Sequence, residues 1–374
     1  MQTGNNPMNR VNLLDFSLPQ LKDFFRDTLD EPPFRAVQVW QWIWQKLARD
    51  FGAMSNVSRK LAARLAEMAE IRYPEIARRQ KGADGTEKLL LTFADGAQAE
   101  TVLIPAVNRA GSLRWSQCLS TQIGCPMGCK FCATGKMGFA RNMSMGEILG
   151  QVLIGKQILA DTRPDRPVLR NLVFMGMGEP LLNGANLLAA LRCLHEEQGA
   201  NFSARRITVS TCGIEQGLQS LGASGLAYLA ISLHAPSQEL REQIMPAAAS
   251  WPLDEMLAAL MAYPLKTRER ITFEYLLLGG VNDSPAHAHK LVKLLAPLRA
   301  KLNLIVYNPV PGLPYRAPTP AAVEAFQQVL WQTRLTAILR KSHGADIAAA
   351  CGQLMTQSRP HCIQPHATAS ASGH

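Results

Sequence analysis

Gln117-Cys-Leu-Ser-Thr-Gln-Ile-Gly-Cys-Pro-Met-Gly-Cys-Lys-Phe-Cys-Ala133 is the stretch that decides the fold. It carries Cys125, Cys129 and Cys132 in the spacing Cys-x3-Cys-x2-Cys. Three thiolates do not complete a four-ligand zinc site without a distant fourth ligand. They do suffice to hold three irons of a 4Fe–4S cluster and leave the fourth iron open. An open iron is a place for a substrate-like ligand. Gly124 and Gly128 allow a tight backbone around such a cluster, and Phe131 can shield it. The competing reading is a zinc knuckle completed by a later Cys or His, serving an RNA-binding module without catalysis.

Working outward toward the C-terminus, short apolar runs alternate with helix-length segments. The strands expected are Ser116–Thr121, Asn171–Met175, Ile207–Ser210, Leu226–Leu233, Ile271–Leu277 and Leu302–Tyr307, with an edge strand at Thr336–Lys341. Six strand–helix repeats predict an α/β fold, a partial (β/α)6 barrel of TIM-like kind with its helices outside. In such sheets ligands bind at the carboxyl ends of the strands. The chain places Gly176-Met-Gly-Glu179-Pro180, Ser210, Ser232-Leu233-His234 and Asn308 at those ends. The glycines let backbone approach a ligand, and Glu179 offers a carboxylate to an ammonium group. Each alone reads as an ordinary polar strand end; together they point to one shared ligand.

Toward the N-terminus, Glu87–Phe93 and Ala99–Pro105 flank Asp95-Gly96 and read as a β-hairpin. Arg78, Arg79 and Lys81 before it, and Arg109–Arg114 after it, read as exposed loops. Three helices precede the hairpin, the first capped by Ser17, the second carrying Ala36, Val39, Trp40, Ile43 and Leu47 at helical spacing, the third running from about Val57 to Glu70. Trp42 and Trp44 lie off the main apolar stripe and either pack on a neighbouring domain, the favoured reading, or stack on bases. The residues before Leu13 look loose. The division expected is a helical accessory domain at 14–75, a hairpin linker at 76–110, a core barrel at 111–356 and a disordered tail at 357–374.

Composition is globular, with 47% hydrophobic and 18% charged residues among 374. No apolar run reaches the roughly 20 residues that span a membrane, and no signal peptide opens the chain. A cytoplasmic protein is expected, in which eight cysteines serve as ligands and reactants rather than disulfides. A net charge of +10 favours a polyanionic partner.

The cysteine loop with the Gly-Met-Gly-Glu turn resembles the radical S-adenosylmethionine (SAM) superfamily. Arg205-Arg-Ile-Thr-Val-Ser-Thr, Ala230-Ile-Ser-Leu-His-Ala, Glu274-Tyr, Val281-Asn-Asp, His287-Ala-His289 and Ala350-Cys351-Gly-Gln-Leu sharpen the match. The set resembles the RlmN/Cfr family of RNA adenosine methyltransferases from about Phe16 to Leu354, and Phe34-Arg-Ala-x-Gln-Val resembles that family's N-terminal domain. The resemblance implies an enzyme that methylates C2 of an adenosine in 23S rRNA, and in tRNA in some bacteria. The alternatives are a C8 enzyme, a tRNA-only paralogue, or a radical SAM enzyme acting on a protein or small molecule. It also implies a 4Fe–4S cluster on Cys125, Cys129 and Cys132, and two SAM molecules per turnover. SAM contacts are implied at Glu179, Pro180, Ser210, Ser232, Leu233, His234 and Asn308. Cys351 is implied as S-methylcysteine carrier, Cys118 as resolving thiol and Glu100 as proton acceptor. Flavodoxin or ferredoxin is the implied electron donor, and a monomer is expected. Cys193 is expected in the core, and Cys212 in the core or just behind the site. Two stretches depart from the family pattern, Arg109–Gln117 and His343, and both are expected beside the substrate side of the site.

Overall fold

The computed structural model describes residues 10–107, 111–162 and 169–356. The expected tail at 357–374 lies outside them. The chain opens with β1 (Val11–Asn12), followed by helices α1 (Leu18–Asp27), α2 (Pro33–Lys46) and α3 (Arg59–Met68), then β2 (Ala69–Glu70). Ser17 caps α1 in a reciprocal capping box with Gln20, and Ser58 caps α3. Val11 pairs with Ala69 in a short parallel bridge, and Leu13 and Leu14 are fully buried. The loose start expected up to Leu13 is therefore ordered from Arg10 on. Two-residue strands carry no periodicity that a sequence could show.

Three strands follow, β3 (Glu75–Lys81), β4 (Glu87–Thr92) and β5 (Gln98–Val107). The predicted hairpin is β4 and β5, in register Leu91↔Ala99. Arg78, Arg79 and Lys81, expected in a loop, instead belong to β3. This strand is exposed along nearly its whole length, so it lacks the apolar alternation of a half-buried strand.

The rest alternates: β6 (Leu113–Cys118), β7 (Gln122–Gly124), α4 (Ala133–Met137), β8 (Phe139–Asn142), α5 (Met145–Thr162), β9 (Leu169–Phe174), α6 (Gly184–His195), β10 (Ile207–Thr211), α7 (Glu215–Ser224), β11 (Tyr228–Ser232), α8 (Gln238–Ile244), α9 (Leu253–Met261), β12 (Ile271–Leu277), α10 (Pro285–Leu295), β13 (Ala300–Val306), α11 (Pro320–Trp331) and β14 (Thr336–Arg340). Leu113 and Arg114 open β6, so the loop expected through Arg114 ends two residues sooner.

One ten-stranded sheet has the order β14-β13-β12-β11-β10-β9-β6-β5-β4-β3. The seven strands from β14 to β6 are parallel, and β5, β4 and β3 continue the same sheet antiparallel. The hairpin thus extends the barrel wall. It does so because Val102 and Leu103, buried on β5, face Cys118 and Gln117 on β6.

Helix α5 is buried around most of its circumference, the signature of a helix covered on two sides. The sheet lies on one side and the N-terminal unit on the other. Ser144 Oγ and the Gly146 N–H each donate to Asp15 at 2.8 Å, and Lys156 Nζ donates to the Trp44 carbonyl at 2.6 Å. Trp40 and Trp44 are fully buried with ring centroids 5.8 Å apart. For Trp44 the packing reading holds. Trp42 is half-buried and donates its indole N–H to Asn56. No helix among the described residues is long and apolar enough to cross a membrane.

Candidate active site

The cysteine loop lies over the carboxyl end of the parallel sheet. Strands β7 and β8 pair antiparallel at its base, and the Cys125 N–H donates to the Gly138 carbonyl at 2.8 Å. Gly124 has φ +75°, and a Cβ there would collide with that carbonyl. Phe131, Met127 and Ala133 turn into a small apolar core with Ile244, Met245, Leu276 and Tyr307. From α8, the Ile244 carbonyl accepts the Lys130 N–H at 2.9 Å.

One cavity gathers Cys125, Cys129 and Cys132 with Cys118 and Cys351. Glu179, Ser210, Ser232 and His234 also face it. Pro180, Leu233 and Asn308 stand behind or beside this lining. Pro180 and Leu233 are buried, and Asn308 Nδ2 donates to Ser342 Oγ at 3.0 Å. Cys212 lines the cavity as well, and Cys193 is buried with its sulfur 3.7 Å from that of Met145. Cys362 lies outside the described residues.

Burial pushes the three loop thiols upward, Cys125 to about 12, and at Cys125 and Cys129 repulsion from neighbouring thiols adds to it. Backbone N–H groups oppose the shift, from Met127 at Cys125 and from Gly135 and Thr134 at Cys132. Such a set favours a positively charged group that takes the protons' place. N–H hydrogen bonds to sulfur are also a lever by which proteins tune Fe–S clusters. Among the described residues no three ligand-type side chains converge as on a single ion, whereas a cluster takes one thiolate per iron. The donor set fits a cluster held by Cys125, Cys129 and Cys132.

Cys118 ends β6, fully sheltered, and burial with the nearby Cys351 raises its pKa. Cys351 sits on an exposed turn at the cavity's edge, while the crowding of its thiol and the charge of Glu274 push it up to about 11. Its segment is tied directly to the cysteine loop. The Ala133 N–H donates to the Gly352 carbonyl at 2.8 Å, and Thr134 Oγ1 to the Leu354 carbonyl at 2.6 Å.

Glu179 is buried and held by two backbone donors, Leu181 at 3.0 Å and Cys212 at 2.9 Å. Burial raises its pKa against those bonds. Gly178, at φ +98°, brings this turn so close to Gln122 that a Cβ would overlap its side chain. Glu100 is buried rather than an exposed hairpin residue. Its Oε1 pairs with Lys88 at 3.0 Å and its Oε2 accepts the Met355 N–H at 2.9 Å, and it does not itself line the cavity. Burial raises its pKa, and Lys88 opposes the shift.

Sequence reasoning assigned no role to Glu274 or Arg241. Glu274 lines the cavity, accepts from Asn303 Nδ2 at 2.8 Å and sits close enough to Cys351 to raise its pKa. Its signal was the quoted Glu274-Tyr on a strand whose other residues are apolar or Thr. Arg241 is fully buried and donates to the carbonyls of Ala248 and Cys212. A charged residue on a seven-residue helix gave no sign of it.

The departure at Arg109–Gln117 is described from Gly111 on. It leads into the N-terminal end of β6, and the cavity lies at the other end, where Cys118 stands. His343 contacts Asp84 through Nδ1 at 3.1 Å, tying the segment before Cys351 to the β3–β4 turn.

A partial parallel barrel with a three-thiol loop over its carboxyl end defines a radical SAM enzyme. Residues 119–292 match the Radical SAM superfamily, and residues 11–71 match the Ribosomal RNA large subunit methyltransferase N-terminal domain. A crystal structure of a radical SAM methyltransferase from Sphaerobacter thermophilus superposes with TM-score 0.85 at 39% identity, covering 92% of this chain and 99% of that one. The dual-specificity RNA methyltransferase RlmN of Nitratidesulfovibrio vulgaris (strain DP4) is 62% identical over 344 residues, 92% of this chain and 94% of that protein. RlmN of Lawsonia intracellularis is 55% identical over 346 residues, 92% and 97%. The chain belongs to the RlmN family of SAM-dependent RNA methyltransferases.

Proposed function

We propose that this enzyme methylates C2 of an adenosine in 23S rRNA, and of tRNA as a second substrate, through a methyl group carried on Cys351. The observation that carries the reading is one cavity shared by Cys118, Cys351 and the cysteine loop, residues far apart in sequence. C2 of adenine is electron-poor and bears a hydrogen, so it does not attack the electrophilic methyl of SAM. A thiolate does, and Cys351 is the thiol at the cavity's edge.

When bound, a 4Fe–4S cluster on Cys125, Cys129 and Cys132, with SAM and an electron from flavodoxin or ferredoxin, supplies a 5′-deoxyadenosyl radical. Glu179, Ser210, Ser232 and His234 orient SAM, with Pro180, Leu233 and Asn308 shaping the strand ends behind them. Cys351 first loses its proton and takes a methyl from one SAM, forming an S–C bond. It then presents that methyl for hydrogen abstraction, and the remaining carbon bonds to C2. With the oxidised cluster on Cys125, Cys129 and Cys132 as acceptor of one electron from the adduct, the C2 proton would pass to Glu100, which is buried outside the cavity lining. Cys118, once deprotonated, attacks the sulfur of Cys351; the sulfur–carbon bond breaks, the freed carbon takes up a proton to become the methyl group, and a Cys118–Cys351 disulfide remains. Two electrons must reduce that disulfide before the next cycle.

Cys118→Ala should leave protein covalently joined to RNA, seen as a crosslinked band whose mass contains both. Free, fully methylated RNA from that variant removes the role of Cys118. Cys351→Ala should abolish methylation while some SAM cleavage continues. Mass spectrometry of rRNA and tRNA from cells with and without the gene reads the position, and a methyl on C8 would replace the C2 assignment.

A further inference from the structure

The carboxyl ends of the parallel strands hold the cavity; the opposite ends hold arginines. Arg114 lies at the start of β6, Arg170 at the start of β9, and Arg205 and Arg206 just before β10. Arg268 and Arg270 precede β12, Arg299 precedes β13 and Arg334 precedes β14. Six of the seven parallel strands therefore begin within three residues of an arginine, β11 being the exception. Arg205, Arg268, Arg270, Arg299 and Arg334 are exposed.

Among the described residues none of the eight forms an ion pair. The hydrogen bonds found are to neutral groups: Arg206 to Asn171 at 3.4 Å, Arg270 to Thr336 at 2.9 Å, Arg299 to the Lys266 carbonyl at 3.0 Å. The Arg170 Nε is buried without an acceptor. Glu269, the carboxylate beside Arg268 and Arg270, is largely buried at the wall of their groove and accepts the Lys266 N–H. Arg268, Arg270, Arg299 and Arg334 line one groove. Burial lowers the pKa of Arg206, and the nearby Arg170, Arg205 and Arg114 add to it. A collar of unpaired like charges is unfavourable in the free protein and becomes favourable when an anion joins it.

We propose that this collar is a second docking surface for RNA phosphates, engaging a part of the substrate other than the nucleotide in the cavity. The inference rests on RNA being the substrate. Arginine forks fit phosphate oxygens two at a time, which suits a nucleic-acid backbone. A six-residue strand rises about 20 Å, so the collar lies that far from the cavity along the sheet. Only an RNA large enough to fold around the barrel edge reaches both.

The test uses the cluster-loaded, full-length enzyme and a quadruple variant, Arg205→Gln, Arg268→Gln, Arg299→Gln and Arg334→Gln. Binding is measured across salt concentrations to a long folded ribosomal RNA transcript and to a short stem-loop carrying the target adenosine. Each phosphate contact contributes about 0.7–0.9 to the slope of log affinity against log salt. The variant's slope on the long transcript should fall by up to about 3 for four contacts, with stem-loop binding and methylation unchanged. The matching Arg→Lys quadruple keeps the charge and should keep most of the slope. An unchanged slope on the long transcript overturns the proposal. So does an equal loss on both RNAs, which would report general charge rather than a surface. Poly-L-glutamate binding lost while the RNA slope stays would hand the collar to an acidic protein and equally overturn it. Wild-type binding to the stem-loop tests the RNA reading separately.

Discussion

Leu276 donates its backbone N–H to Nδ1 of His234 at 3.1 Å, and that bond places the imidazole proton on Nε2. His234 also has φ +55°, uncommon for a residue with a side chain, and its carbonyl accepts from Asn282 Nδ2 at 2.8 Å. Burial, with the nearby Arg241 cation adding, lowers its pKa to about 3. The folded-state value lies below the unfolded one, so the unfolded chain binds the proton first. Stability is then intact above roughly pH 6.5 and falls as pH drops toward 3. From pH 7 to 5 the loss from this one group is about 2 kcal/mol. His234→Gln removes the titrating group, and its unfolding free energy in denaturant should decline less over that range. Parallel pH profiles for variant and wild type would show that His234 is not held neutral. The residue's place at a strand end was legible in Ser232-Leu-His234. Its tautomer was not, because the Leu276 amide that fixes it lies on another strand.

At the scale of elements, the segment from Gly344 to Thr356 has no long helix or strand of its own and is held by what it touches. Lys88 Nζ donates to the Ala348 carbonyl at 3.1 Å, Glu100 Oε2 accepts the Met355 N–H, and Gln353 Nε2 donates to the Pro309 carbonyl at 3.1 Å. The buried Lys88–Glu100 pair, one residue on β4 and one on β5, thus clamps the segment that carries Cys351. Glu100→Gln leaves a buried ammonium without its counter-charge, which costs about 3–5 kcal/mol. The variant should unfold at correspondingly lower denaturant, and Lys88→Met with Glu100→Met should recover most of the loss. If Glu100→Gln unfolds as wild type does while methylation stops, the carboxylate serves proton transfer alone. The strands of this clamp were readable, since Leu89, Leu91, Val102 and Leu103 give a hairpin its buried residues. The pairing of Lys88 with Glu100 was not, because each has a polar neighbour, Glu87 or Thr101, as a surface charge does. The exposed strand β3 escaped for a related reason. An edge strand wet along its length needs no apolar rhythm.

For the molecule as a whole, the two ends of the sheet differ: thiols and carboxylates, with Arg340 near them, gather at the carboxyl ends, and a run of arginines lies at the amino ends. The order of the parallel strands follows from chain connectivity, as short βα repeats place successive strands side by side. Closure by the C-terminal segment depends on contacts across the whole chain, which no local pattern reports. Such contacts make the cysteine loop and the Cys351 segment one cooperative unit, joined by the Ala133–Gly352 and Thr134–Leu354 bonds. The N-terminal unit of α1, α2 and α3 is joined to α5 instead, through Asp15 before α1 and Trp44 on α2, by bonds separate from these. Loading iron and sulfide onto the thiols stabilises only states in which the loop is formed. Amide hydrogen exchange in cluster-free protein should therefore quicken at 125–137 and at 345–356 together, by at least about tenfold, or 1.4 kcal/mol of local stability. Exchange in α1, α2 and α3 should stay the same. Protection lost at the loop but kept around Cys351 would mean the two segments open independently, and the loss of exchange protection in α1–α3 would mean the helical unit leans on the cluster as well.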